Sequence, residues 1–314
     1  MKNKFIIYTF FTGLGLWNGY RGDRWLKNRI QIFKQFVIPS LLNQTDRDFV
    51  HWISWRPEEE KNPQVIELKK YLDNIPNYKC VFTYGGVCVF DDKYPDDVAR
   101  ERLANALHDS LYLLFDYLPD CDNVYWLLQP SDDLYKSDTV EEVKKAFQNY
   151  KAQAVSFLFG YICNYQTKEI HEYNPNTNPP FFAINFPRET FFDEAKHMTY
   201  ISLKSDEGKY KKGTPQPSHE YLAKCLDTFY FEYRGFCVGC HGCNISTHFN
   251  HPFKGGKVGQ HLLDNFGILN VPNLSLPVST RKWLMRKLPY QWQKKLRYLI
   301  GEELVGKIYE YLRR

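Results

Sequence analysis

A chain of 314 residues, 43% hydrophobic and 25% charged, is long enough to bury a large α/β core, which excludes small scaffolds that need disulfides or a structural metal to fold. Its formal charge of +5 is concentrated: Thr280 to Arg314 holds ten Lys or Arg against three Glu, a local +7, so the remainder is slightly acidic. That distribution excludes a whole-protein nucleic-acid binder, whose basic residues would form a stripe across the folded domain. No run approaches the ~18 apolar residues that span a bilayer, and no cleavable leader is evident after Met1. Residence in the cytoplasm is expected, with the eight cysteines as free thiols.

The apolar run Phe5 to Phe11, ended by Thr12-Gly13-Leu14-Gly15, reads as a buried first strand entering a glycine-containing loop. Arg24 to Leu42 follows an imperfect helical period through Ile32, Phe36 and Ile38, with Pro39 late in the segment. Asp48 to Trp55 predicts a second strand, Pro63 to Leu72 a helix, and Tyr78 to Tyr84 a third strand closed by Gly85-Gly86. Leu103, Leu107, Leu111, Leu114 and Leu118 recur at spacings of three and four, which predicts a long helix from Asp97 to Leu118. Val124 to Leu128 is apolar throughout, as a central strand covered on both faces should be. It ends at Gln129-Pro130-Ser131-Asp132-Asp133, two adjacent carboxylates at the strand end where open α/β sheets hold their ligands. A helix from Asp138 to Tyr150, a strand from Ala154 to Tyr161 and a hairpin-like segment from Ile170 to Phe186 follow. Lys204 to Pro217 reads as a lid-like loop. The alternation of strand and helix predicts a right-handed, mainly parallel sheet flanked by helices.

These ordered features resemble the GT-A type glycosyltransferases, and within them a bacterial rhamnosyltransferase family. The resemblance rests on Arg29, on Pro39-Ser40-Leu41-Leu42-Asn43-Gln44-Thr45-Asp46-Arg47-Asp48-Phe49, on Ser131-Asp132-Asp133, and on Gly242-Cys243-Asn244-Ile245-Ser246-Thr247-His248. It covers roughly Lys4 to Lys257 and implies a Rossmann-like GT-A domain, assigned to residues 1–275; the residue pattern beyond it predicts a basic amphipathic helical tail over 276–314. The resemblance also implies transfer of a sugar from a nucleotide-sugar donor to a glycan or lipid-linked acceptor, in polysaccharide biosynthesis. Such enzymes typically carry Asp-x-Asp after a central strand, because a divalent cation neutralises the charge that develops on the diphosphate leaving group. Hard oxygen ligands suit Mn²⁺ or Mg²⁺. Here Pro130 stands at the first acidic position, which leaves Asp132 and Asp133 as the carboxylates, with His248, ahead of His251, in Thr247-His248-Phe249-Asn250-His251 as a third ligand. A capping role for Ser131-Asp132-Asp133 in the next turn is the alternative.

On the donor side the resemblance nominates Thr9, Arg29, Trp55 and Arg102 beside Asp132, arginine because its fork matches diphosphate oxygens. Inversion needs a base to take the acceptor proton as the anomeric carbon is attacked, and Glu220 in Ser218-His219-Glu220 is the candidate, with Asp133 as the second catalytic carboxylate. Helix capping is its alternative role. Two competing readings stand beside this one. The first is a nucleotide-sugar-binding protein without catalysis. The second is a zinc or iron–sulfur protein, since Cys237, Cys240 and Cys243 have C-x₂-C-x₂-C spacing with His241 among them. Finally, Trp283 to Arg314 interleaves Leu284, Leu288, Trp292 and Leu296 with Lys and Arg, a basic amphipathic pattern. Its apolar face suits an anionic membrane surface, the catalytic domain, or a second subunit of a homodimer.

Overall fold

The computed structural model describes residues 2–11, 22–84, 112–118, 120–189, 191, 226–241, 244 and 249–270. Its centre is strand β1 (Asn3–Phe10), which runs parallel to β2 (Val50–Ser54) on one edge and to β4 (Asn123–Leu128) on the other. Beyond β2 lies β3 (Cys80–Thr83), again parallel, so this half of the sheet is ordered β3-β2-β1-β4. Side chains alternate across a strand, and both alternations are buried here. Phe5, Ile7, Ile53, Trp55, Tyr125 and Leu127 enter one core cluster, while Ile6, Tyr8, Trp52, Val124, Trp126 and Leu128 enter another on the opposite face. A strand with two buried faces is apolar along most of its length, which is why residues 5–8 of β1 and 124–128 of β4 read as unbroken runs.

The first helix is α1 (Gly22–Ile32), which continues through a π-helical turn, Phe33–Val37, into α2 (Ile38–Leu42). The wide turn closes on Ile38 N–H donating to the Phe33 carbonyl and immediately precedes Pro39. A proline in a regular helix clashes with the carbonyl four residues back, and a π turn is one way to absorb that conflict. Helix α3 (Pro63–Asp73) starts on an Asn62 side chain that accepts from the Gln64 N–H at 3.0 Å, and it buries Val65, Leu68 and Leu72.

The other half of the sheet is mixed. Strand β6 (Ala154–Asn164) pairs along its whole length with β9 (Thr228–Cys240) in parallel. Its other edge is shared end to end by β8 (Phe182–Pro187) and β7 (Glu169–Tyr173), both antiparallel to it. The hairpin expected between Ile170 and Phe186 is therefore corrected: the two strands pair with β6 instead of with each other. β8 also pairs with β4 and joins the halves. A short β5 (Leu134–Tyr135) lies on β9, and β10 (Lys254–Val258) on β7. Helix α4 (Thr139–Tyr150) follows β5 and buries Val140, Val143, Ala146 and Phe147.

A second correction concerns Asp97 to Leu118. Its described end, Tyr112–Tyr117, is a 3₁₀ turn that buries Leu114 and leaves Tyr112, Leu113, Phe115 and Tyr117 exposed. Pro119 disfavours α conformation just before it, which suits a tightened end. Leu103, Leu107 and Leu111 lie outside the described residues, as do the loop Lys204 to Pro217 and the segment Trp283 to Arg314. Among the described residues no helix is long and apolar enough to cross a membrane.

Candidate functional site

The acidic pair sits in the bend between β4 and β5, at the carboxyl end of the parallel sheet. Gln129 extends the pairing of β4 by one bond, its N–H donating to the Tyr8 carbonyl at 2.8 Å. Its side-chain amide then donates to the carbonyls of Pro130 and Asp133, both at 2.8 Å, folding the loop back on itself. The Tyr135 hydroxyl ties β5 to the end of β4 by donating to the Leu128 carbonyl at 2.7 Å. Strand β9 presses against this bend at Gly239, where a Cβ would overlap the Asp132 carbonyl oxygen and the Tyr165 ring. Only glycine permits that approach. The Tyr165 hydroxyl donates to the same Asp132 carbonyl at 2.9 Å, and its ring stacks on Phe36 of the π turn, 3.8 Å between centroids.

Asp132 gathers three side-chain donors from two parts of the chain. Arg29 on α1 forms an ion pair with its Oδ2. His241, just past β9, brings Nε2 to 3.0 Å from that oxygen, and the Asn244 amide donates to it at 3.2 Å. Asn244 is braced in turn, accepting from the His241 N–H at 2.8 Å and donating to the Gly239 carbonyl. Burial opposes ionisation of Asp132, but the Arg29 charge and the His241 contact outweigh it and hold its carboxyl down to about 2. Asp133 points the other way, into the sheet, where its Oδ1 accepts from the Gly239 N–H at 2.8 Å. Burial first, and the neighbouring Asp132 charge second, push its carboxyl well above the usual carboxylate range.

Arg29 is thus the nominated donor-side residue that the fold brings to the acidic pair. The Thr9 hydroxyl is fully buried in a hydrogen bond with His51 Nε2 at 2.9 Å, and His51 continues to the Tyr78 hydroxyl. Trp55 is fully buried, its ring stacked on Phe11 at 4.3 Å. Arg102, Glu220 and His248 lie outside the described residues. His251 packs edge-on against Tyr173 of β7. Sequence reasoning did not connect His241, Asn244, Gly239 and Tyr165 with Asp132. The available signal was Asn244 and its neighbours in the stretch that carries the resemblance.

The other resembling stretch, Pro39 to Phe49, is a clamp. Ser40 Oγ donates to the Tyr135 carbonyl at 2.8 Å, and the Gln44 amide donates to the Lys136 carbonyl at 2.8 Å. Gln44 Oε1 also accepts from the Val140 N–H at 3.0 Å, capping α4 from a distant part of the chain. The Thr45 N–H donates to the Ser137 carbonyl at 2.8 Å, and Asp46 pairs with Lys144 at 2.7 Å. These contacts fix β5 and the start of α4, which follow the acidic pair.

A divalent cation fits this arrangement poorly. Asp132 Oδ2 already meets three donors, Asp133 faces β9, and Pro130 offers only a carbonyl that Gln129 occupies. Among the described residues no three His, Cys, Asp or Glu side chains converge to hold a metal. The cysteine alternative meets a geometric obstacle. Cys237 and Cys240 are three apart on β9, so they point to opposite faces: Cys240 joins the core cluster of Phe236 and Val238, and Cys237 that of Cys163 and Tyr165. Cys243 lies outside the described residues.

A search of curated proteins finds no match to the chain. Among solved structures it is similar to TarS 1-349 of S. aureus in complex with UDP-GlcNAc, at 11% identity and a TM-score of 0.42, over 78% of this chain and 61% of that one. The chain therefore spans less than two thirds of that fragment. It is also similar to HddC of Yersinia pseudotuberculosis, at 10% identity and a TM-score of 0.36, over 75% of this chain and 92% of that one. Residues 20–69, which hold Arg29 and the clamp, match the family described as "Putative rhamnosyl transferase". The resemblance to a rhamnosyltransferase family, carried in part by this stretch, is borne out over residues 20–69.

Proposed function

We propose that the chain transfers a sugar from a nucleotide-sugar donor to a glycan or lipid-linked acceptor, with inversion. The observation that carries this reading is the Asp132–Asp133 bend at the carboxyl end of β4, beside β1, where a parallel α/β sheet holds its ligands. The family match over residues 20–69 supports it, and rhamnose is the sugar that match suggests. Arg29 and Asp132 form the wall of the donor side, while Thr9 and Trp55, both fully buried, shape that side from beneath. Arg102 contributes a further cation, and Asp133 holds β9 against the bend. Glu220 takes the acceptor hydroxyl proton as that oxygen attacks the anomeric carbon and the nucleoside diphosphate departs from the opposite face. The basic segment 283–314 brings the enzyme to the inner face of a membrane carrying its acceptor.

Calorimetric titration of the purified chain with UDP, GDP and dTDP tests the reading. Saturable binding of one nucleotide, weakened at least tenfold (about 1.4 kcal/mol) in Asp132→Ala, is the expected result. Binding without turnover of any matching nucleotide sugar, with or without acceptor, would instead identify a non-catalytic binding protein. No binding at all would remove the reading.

A further inference from the structure

The carboxylate that the resemblance assigns to a metal is held by the protein's own cation. A carboxylate oxygen offers about two lone-pair directions, and Asp132 Oδ2 is met by Arg29 Nη1, by His241 Nε2 at 3.0 Å and by Asn244 Nδ2 at 3.2 Å. A divalent ion could take that oxygen only by displacing them, and it would then sit against a guanidinium of like sign. Displacement is hindered structurally. Arg29 is 4% exposed and rooted in α1, His241 is 1% exposed at the end of β9, and Asn244 is locked by two further bonds to His241 and Gly239. The second carboxylate is turned toward β9, where Asp133 Oδ1 accepts from the Gly239 N–H at 2.8 Å. Where the Asp-x-Asp pattern would supply another carboxylate, this chain has Pro130.

We infer that this chain binds its nucleotide-sugar donor without a divalent cation, the Arg29 guanidinium standing as a built-in counter-charge at the place on Asp132 that a metal would take. Asp132 is then a positioning residue that joins α1, the β4–β5 bend and the end of β9 into one wall. The inference rests on the donor binding proposed above, and the test separates the two.

Mn²⁺ binding to the full chain is followed by electron paramagnetic resonance, alone and with UDP, GDP or dTDP, beside calorimetric nucleotide titrations in EDTA and in Mn²⁺. The expected result is no protein-held Mn²⁺ and a nucleotide affinity in EDTA within about twofold of that in Mn²⁺, a difference well under 1.4 kcal/mol. Protein-held Mn²⁺ that disappears in Asp132→Asn, or an affinity more than about tenfold weaker in EDTA, overturns the inference while leaving donor binding intact. If no nucleotide binds under either condition, the donor reading fails, and the Mn²⁺ measurement still decides what Asp132 holds. Arg29→Gln is expected to create Mn²⁺ binding and Arg29→Lys, which keeps the charge, is not; the wild-type measurement stands whether or not either variant folds.

Discussion

Asp132 and Asp133 are adjacent on the chain, yet one meets Arg29 and His241 while the other meets the buried edge of β9. Their pH behaviour is accordingly opposite in sign. The Asp132 carboxyl, held at about 2 against an ordinary 3.8, stabilises the fold fully above the ordinary value and loses that contribution as pH falls toward 2. Asp133, pushed upward, favours the fold in its protonated form, and that contribution is lost as pH rises through its folded-state value. Urea unfolding at neutral pH should therefore show Asp132→Asn less stable by about 3–5 kcal/mol, since it strands a buried cation. Asp133→Asn should be as stable as the parent or more so, with any gain vanishing below the ordinary carboxylate range. A third group acts at milder pH. Burial depresses His51 to about 3 from 6.5, so the unfolded chain takes up a proton that the native state refuses. Its contribution is full above 6.5 and falls by up to about 1.4 kcal/mol per pH unit below it. Stability measured between pH 5 and 7, taken as the difference between parent and His51→Gln, should display that slope.

At the scale of elements, the site depends on strands and helices meeting across long stretches of chain. Gly239 lets β9 touch the β4–β5 bend. Gly239→Ala is expected to cost about 1–3 kcal/mol through overpacking and to weaken nucleotide binding in the calorimeter, because Asp133 and Asn244 are both bonded to that residue. The Gln44 amide joins α2 to α4, and Gln44→Ala leaves the Val140 N–H and the Lys136 carbonyl without that partner. A loss of about 1–3 kcal/mol is expected in urea unfolding, with nucleotide affinity falling less than in Gly239→Ala. The Pro39 to Phe49 stretch was recognisable as a pattern, but its role as a clamp was not, since its bonding partners lie more than ninety residues further on. The helix ending at Leu118 was overdrawn for a related reason: leucine spacing near 111–118 fits an α-helix and a 3₁₀ turn alike when the packing partners are unknown.

For the molecule as a whole, one sheet whose parallel half is buried on both faces carries the site at the carboxyl end of that half, so donor binding should couple to global stability. A nucleotide at a hundredfold its Kd would stabilise the native state by about 2.7 kcal/mol. Thermal unfolding in EDTA with UDP, GDP or dTDP should show that gain for one nucleotide, and its appearance only with Mn²⁺ would contradict a metal-free site.

Residue patterns along the chain were enough to locate the strands at β1, β2 and β4, the helices α3 and α4, and the acidic pair at the end of β4. Each of these is written in local periodicity: unbroken apolar runs where both faces are covered, and spacings of three and four where one face is. The pairing of β7 and β8 with β6, the opposed directions of Cys237 and Cys240, and the occupation of Asp132 by Arg29, His241 and Asn244 were decided by tertiary structure alone. Each depends on which distant segment lies alongside, and a hydrogen bond between residues 29 and 132 or 132 and 241 leaves no periodic trace in either stretch of sequence.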